Sequence, residues 1–466
     1  MSLTIMNLAE QNLQDIQKKI STIIDKLTAL NTSECIAYST NKVETAQELS
    51  NKLSDLYTAF RHQEKVLTDT FKSEIKSQLD ALGKRYLFKE YRATNVMYRN
   101  GTRIAIYSPY YLFKGNNHGK GKGIKPGLQL LGIHHSVSNE LSTYIAMLCA
   151  ALSSYDEVKT LLAKEGVRLS IELIVKISKK ISKLSRMYQS AEKYSMGFNN
   201  KNTVVISVDG GRVRIRNKKR GRKTAKKRNR FKGQWREVKL FVIYVVDEEG
   251  NKIKKELPII DGMIGSPKAM FNLLKKYLLG LNLSEINNLV FIADGAPWIW
   301  KRINELLDSI EGTEQMNVYH VLDYYHAMEH LNVLAKQLYK NKREKNKWIK
   351  ACKELLHAGK INEFIEKLKL DTKHKRGKIV KTERGYFINN MERLIYKTCK
   401  DNGFPQGSGA IESSVRRVVN LRMKGNSIFW NEESANDMLL IRSFYKAGRW
   451  REIEKMSYEG GLQAAA

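Results

Sequence analysis

Three carboxylates stand where a metal ion could be held. Asp209 closes the run Thr203-Val-Val-Ile-Ser-Val and is followed by Gly210-Gly211; Asp294 closes Leu289-Val-Phe-Ile-Ala and is followed by Gly295. The β-branched, apolar composition of both runs suits strands buried on both faces at the centre of a sheet. An acid where such a strand meets glycine does little for stability and is well placed to hold a cation at the sheet's edge. Glu412 begins a helix after the turn Gly407-Ser-Gly409, and that helix carries Arg416, Arg417, Arg422 and Lys424. Mg²⁺ takes oxygen ligands and needs only a few carboxylates, leaving positions for water and phosphate oxygens. Two such ions about 4 Å apart can activate the attacking oxygen and stabilise the leaving one in phosphoryl transfer. Taken singly, each acid also reads as a turn aspartate or a helix N-terminal glutamate.

Further residues crowd around these acids in the sequence. Asp323-Tyr-Tyr-His326 follows the next strand, with Glu329 and His330 one turn on. His326 and His330, four apart, could ligate zinc, but no neighbouring Cys or His completes the set, which favours a supporting role for Asp323 and His326. Residues 212–232 hold 13 Lys or Arg and no acid. Arg212, Arg214 and Arg216 alternate with Val213 and Ile215, as on a strand with one basic face. Lys218, Lys219, Arg220, Arg222, Lys223, Lys226, Lys227, Arg228 and Arg230 follow as a run too charged to pack. Such a run is a solvated loop, a localisation signal or a phosphate-binding arm; beside Asp209 the arm is the preferred reading. Trp298 and Trp300 could stack on unpaired bases or pack the inner face of an amphipathic helix.

The composition agrees with a polyanionic partner. The chain has 466 residues and a formal net charge of +33, from 81 basic and 48 acidic side chains. A phosphate polymer supplies the matching charge. No signal peptide, lipidation motif or apolar run of about 18 residues argues for a membrane. The four cysteines, Cys35, Cys149, Cys352 and Cys399, form no C-x-x-C pair, which fits a reducing compartment and argues against a disulfide framework.

The elements that must position these residues divide as follows. Residues 1–88 read as helices, with a heptad-like seam through Ala46, Leu49, Leu53, Leu56 and Phe60 extended by Leu67, Phe71, Ile75 and Leu79, either packed within its own domain or forming a dimer contact. Residues 89–130 read as a hairpin around Asn100-Gly101 and a basic loop. Residues 131–196 read as helical, with a helix-turn-helix-like pair around Gly166. Residues 197–326 alternate strand and helix, with strands expected at Arg236–Val246 and Lys255–Ile260, which predicts α/β with a mixed sheet. Residues 327–405 read as helical and Lys-rich, 406–450 as two closing helices, and 451–466 as a tail.

Together these segments resemble DDE insertion-sequence transposases of the ISKra type. The resemblance rests on Val208-Asp209-Gly210, Ala293-Asp-Gly-Ala-Pro-Trp-Ile-Trp300, Leu322-Asp-Tyr-Tyr-His-Ala-Met-Glu-His-Leu331 and Gly407-Ser-Gly-Ala-Ile-Glu412. It continues through Arg422-Met-Lys424 and Trp430 to Ser434-Ala-Asn436. It spans roughly residues 200–445. It implies an RNase H-like catalytic core, a mixed five-stranded sheet flanked by helices, with an all-α insertion and a mainly helical N-terminal DNA-binding region. On that basis Asp209, Asp294 and Glu412 carry over as the catalytic, metal-binding triad for two Mg²⁺ ions, with Mn²⁺ as a substitute. Asp323-x-x-His326 is similar to the (C/D)-x-x-H signature of transposases with helical insertions. The implied partners are double-stranded DNA, as transposon ends and target, and further copies of the chain in a homodimer or higher homo-oligomer. The implied setting is the cytoplasm of a bacterial host, at the nucleoid. Relatives often carry a cysteine-rich segment after the early strands; Ser108–Gly123 has no cysteine. The same residues also fit another RNase H-like nuclease or resolvase, or a catalytically silent transposase-derived DNA-binding protein.

Overall fold

The structure, a computed structural model, describes residues 2–32, 40–83, 86–113, 123–189, 194, 203–225 and 229–459. Lys226, Lys227, Arg228, Cys35 and residues 114–122 and 460–466 lie outside the described residues. The chain divides into two compact units, Met1–Gln189 with Trp450–Ala466, and Ser190–Arg449.

In the first unit, α1 (Ser2–Thr32), α2 (Thr40–Leu67) and α3 (Asp69–Ala81) precede a hairpin of β1 (Tyr86–Met97) and β2 (Arg103–Phe113). The apolar seam does not run through one helix. Thr68 breaks it, accepting the N–H of Phe71 as the N-cap of α3, a role its hydroxyl fills better than a mid-helix position. Leu56, Phe71, Ile75 and Leu79 then converge with Ile16 and Ile20 of α1 and Ile104 and Ile106 of β2 in one core. Packing inside the unit therefore covers these seam residues. The turn Asn100-Gly101 needs a left-handed glycine (φ 89°), as such hairpins do. Asp55, buried in α2, pins it by accepting the backbone N–H groups of Asn100 and Thr102 and the Asn100 side-chain amide, each at 3.1 Å. Then follow α4 (Pro126–Leu130), α5 (Asn139–Ala151), α6 (Tyr155–Lys164) and α7 (Ile171–Tyr188). Ser154 and Ser170 cap α6 and α7. Residues 451–459, expected as part of a tail, instead belong to a helix, Trp450–Glu459, packed on α5 and α7 with Ile453 and Met456 fully buried. Its apolar residues are spaced for one face, a signal obscured by the uninformative residues after it.

The second unit is mixed α/β. Strands β3 (Thr203–Lys218), β4 (Phe231–Val245), β5 (Ile259–Ile264), β6 (Asn288–Ala293) and β7 (Asn317–Leu322) form one sheet in the order β5-β4-β3-β6-β7. The pairs β5–β4 and β4–β3 are antiparallel; β3–β6 and β6–β7 are parallel. The crossovers run through α8 (Pro267–Leu279) and α9 (Pro297–Leu307). Two expectations need correction. Asp209 does not end its strand: β3 continues through Gly210-Gly211 to Lys218, because β4 stays paired with it from Val204↔Val245 to Lys218↔Phe231. The fourth strand lies at Ile259–Ile264, not Lys255–Ile260. Pairing with β4 starts at Ile243↔Ile259 and buries Ile259 and Ile260, whereas the charged Lys255 and the following Glu256 and Leu257 stay outside the strand.

Helices α10 (Tyr324–Leu338), α11 (Lys342–His357), α12 (Ile361–Asp371), α13 (Lys378–Asn389) and α14 (Tyr396–Asn402) follow β7 as a helical segment, with Trp348, Cys352, Phe364, Leu368 and Phe387 buried. The chain returns through α15 (Gly409–Ser414), a π-helical segment Val415–Asn420, α16 (Leu421–Met423) and α17 (Glu432–Ala447). No helix among the described residues is long and apolar enough to cross a membrane.

Candidate carboxylate centre and its cationic surroundings

Parallel pairing sets the level of the acids. Val208 is in register with Ala293, and Ala293 with Leu322. The next residue on each chain is an aspartate: Asp209, Asp294 and Asp323 therefore follow one another across three adjacent strands, at about the 4.8 Å strand spacing. Their carboxylates are not equivalent. Asp209 Oδ1 accepts the N–H of Gly210 at 2.6 Å, and Asp294 Oδ1 accepts that of Ala296 at 3.0 Å. Asp323 is fully buried; one oxygen accepts the N–H of His326 at 2.7 Å as the N-cap of α10, and the other accepts the N–H of Ser408.

Glu412 reaches this edge because β3 has no side chain at Gly211. Residues 209 and 211 share a face of the strand. A Cβ at Gly211 would stand 3.3 Å from Val415 Cγ1 and 3.4 Å from Val419 Cγ1. The helical return after Glu412 thus lies directly against the face that carries Asp209. The π segment is held open by Arg442 of α17, buried, whose guanidinium donates to the carbonyls of Val418 (2.8 Å) and Arg417. Those are carbonyls that a regular α-helix would satisfy itself, and π-bulges commonly occur at functional sites.

The electrostatics tie the acids together. The Asp209 carboxyl is held above its ordinary range, chiefly by burial and then by the negative charges of Asp294 and Glu412; the Gly210 N–H and His326 act in the opposite direction. Ligand atoms of Asp323, His326 and Glu412 lie within 4.8 Å of one another, and Ser408 Oγ sits 3.4 Å from Glu412 Oε1. Among the described residues Asp323, His326 and Glu412 are the one set whose ligand atoms converge so closely; Asp209 and Asp294 are not part of it, and Glu412 is linked to Asp209 through the effect of its charge. Both Asp323 oxygens are already engaged by backbone N–H groups, so Asp323 acts as an anchor. An imidazole in the shell would also favour softer metals than Mg²⁺.

The cationic residues divide by position. Arg212, Arg214, Arg216 and Lys218 lie on one face of the β3–β4 ribbon, and Lys219, Arg220, Arg222, Lys223 and Arg230 at its exposed end. Arg214 lies over Trp235 and Phe429, at 5.6 and 4.6 Å from their ring centres. Among the helix cations, Arg416 is exposed and Arg417 and Lys424 are half-buried, but Arg422 departs from the expected surface. It is 5% exposed and packs over Trp430, because its position in the last turn points it inward. Trp300 is likewise buried, its indole donating to the Asp294 carbonyl at 2.8 Å; it braces the acid's backbone and offers no open face for a base. Trp298, half-buried, lies against Phe271 and near Lys239.

Sequence reasoning missed Tyr386, whose ring would clash with any side chain at Gly295: an added Cβ there would lie 2.4 Å from its Cε2. Its hydroxyl is held above the ordinary tyrosine value, by burial first and then by Asp294 and Asp323. Gly295 beside Asp294 was the available signal, since a glycine there permits close approach. Compared with protein-family models and with curated proteins, the chain matches none.

Proposed function

We propose that the protein is a DNA transposase of the DDE class, binding the terminal inverted repeats of its element, cutting there and joining the freed 3′-hydroxyl to target DNA. The observation that carries the reading is the parallel register that levels Asp209 with Asp294 at one sheet edge, to which Glu412, 203 residues of sequence after Asp209 (412 minus 209), comes near enough for its charge to act on the Asp209 carboxyl. The order β5-β4-β3-β6-β7, with three antiparallel and then two parallel strands, is compatible with an RNase H-like core, and the helices from α10 to α14 stand where that class carries an insertion. The basic ribbon beside Asp209 supports a DNA partner.

The residues present fit a divalent cation. Carboxylates brought to one sheet edge gain from a positive charge between them, and all three are hard oxygen donors. Asp209, Asp294 and Glu412 would hold Mg²⁺, which when bound supplies charge neutralisation and an activated oxygen nucleophile for in-line phosphoryl transfer. The chain's own residues do the rest. Asp323 fixes the turn that delivers Glu412. Ser408 and His326 flank the Glu412 carboxylate. Arg416 and the ribbon arginines position phosphates, which fixes register without reading bases.

The test is Asp294→Asn in the full chain with a DNA fragment bearing the element's end. Strand cleavage in Mg²⁺ is expected to disappear while end binding persists; full cleavage by this variant would falsify the assignment. Hydrolysis without joining of 3′ ends would instead mark a nuclease or resolvase on the same kind of core.

A further inference from the structure

A cleft of about 810 Å³ opens beside Asp294, between α9 and α13. Its size is that of a small-molecule or single-nucleotide site. Lys301, Lys381 and Arg393 line it together with the amides of Asn304 and Asn389, and no carboxylate does. Trp300 forms part of its wall, with the Arg393 guanidinium 4.7 Å from the ring centre. In two of the lining residues, Tyr386 Oη and Arg393 Nε are buried out of solvent's reach without a hydrogen-bond partner among the described residues. Buried polar atoms in a native site are nearly always paired, so an occupant of the cleft toward which these side chains turn would satisfy both. Its cations ask for an anion, its amides suit the edges of a base, and its mouth adjoins the carboxylate centre through Gly295.

We infer that this cleft binds one nucleotide unit of a DNA strand adjoining the phosphodiester that is cut, with Lys301 and Lys381 on its phosphate and Tyr386 as a hydrogen-bond donor to it. The inference rests on the reading of the neighbouring carboxylates as a DNA-cutting centre. The helical insertion thereby takes part in holding DNA, since α13 supplies Lys381, Tyr386 and Asn389 and so grips the strand that the sheet edge processes. The phenol remains a neutral donor near pH 7, since burial and the nearby acids oppose its ionisation.

The experiment uses the full chain without Mg²⁺ and a fluorescent single strand of about 20 nucleotides, a length beyond one single-strand binding footprint. For Lys301→Ala/Lys381→Ala, affinity is expected to fall at least tenfold. The dependence of log K on log salt should become shallower by about 1.4, two contacts at roughly 0.7 each for a single strand. Tyr386→Phe, which keeps the ring, should weaken binding about three- to tenfold, the scale of one hydrogen bond. Equal affinity and equal salt slope in wild type and the double variant, with unchanged melting temperatures, would overturn the inference. So would displacement of the strand by a free deoxynucleoside monophosphate at the same nucleotide concentration, which marks a site for the free nucleotide. The two readings fail separately. A wild type that binds the strand through Lys301 and Lys381 but cuts no verified end loses the catalytic assignment alone; one that cuts while the double variant binds as well as it does loses the cleft alone.

Discussion

Asp323 and Ser408 are joined across 85 residues of sequence by a hydrogen bond from the Ser408 backbone N–H to the Asp323 carboxylate. The same carboxylate caps α10 through His326, so one buried acid closes the segment α10–α14 at both ends: where the chain leaves the sheet and where it returns toward Glu412. Replacing Asp323 by Ala removes both acceptors. The expected loss is about 2–3 kcal/mol, combining a lost cap with a buried N–H left unpaired. End cleavage should fall about a hundredfold because Glu412 loses its fixed position. Thermal unfolding and single-turnover cleavage measure the two effects. A variant as active as wild type would show that the return turn orders itself.

Gly211 tests the docking of the helical return. Valine there would meet Val415 and Val419, which already stand 3.3 and 3.4 Å from a Cβ at this position. Overpacking of this kind costs about 1–3 kcal/mol. Gly211→Val is expected to keep DNA binding through the basic ribbon and to lose most cleavage, read from a binding isotherm and a cleavage time course on the same preparation.

Divalent metal should stabilise the second unit. Burial first, and then the like charges of Asp294 and Glu412, hold the Asp209 carboxyl high; a cation sited there offsets both. Ligand binding to the folded state adds about 2.7 kcal/mol at a hundredfold excess over Kd. Differential scanning fluorimetry with rising Mg²⁺ or Mn²⁺ should raise the transition of wild type. Asp294→Asn should blunt that response, and Asp261→Asn should not, since Asp261 is buried with its carboxylate bound to Tyr277 and the Gly262 N–H. Equal metal responses in all three proteins would remove the cation cradle from these acids.

His134 gives the first unit a pH dependence of known sign. Burial, then Lys180 and His135, push its pKa from 6.5 down to about 4. The unfolded chain therefore binds the proton more readily. The stability that neutral His134 contributes is complete above pH 6.5 and is lost as pH falls toward about 4. The loss is at most about 3–4 kcal/mol, from roughly 1.36 kcal/mol per pKa unit. His134→Gln should flatten that segment of the stability profile. A profile unchanged by the substitution would place the acid sensitivity elsewhere, with His62, also lowered by burial, the next to replace.

Much of the strand and helix pattern was legible because it is written in local chemistry. The β-branched run before Asp209, the apolar run before Asp294 and the Asn100-Gly101 turn each state a backbone preference within a few residues. The elements that misled did so for non-local reasons. Gly210-Gly211 reads as a break, yet β4 pairs along the whole of β3 and carries the strand through it. The expected fourth strand moved because partner register, not its own composition, chose Ile259–Ile264. Arg422 carries surface chemistry in the sequence and is buried in the fold.

The sequence by itself determined which acids lie at strand and helix ends, since residue type and period fix local conformation and the face on which a side chain emerges. Only the tertiary structure decided which of them meet. Parallel register aligned Asp209, Asp294 and Asp323, and the absence of a side chain at Gly211 let the helix after Glu412 close on the same face. It also brought Tyr386 and Lys381 of a distant helix to the side of Asp294. Such meetings depend on packing between segments far apart in the chain, and no local pattern encodes them.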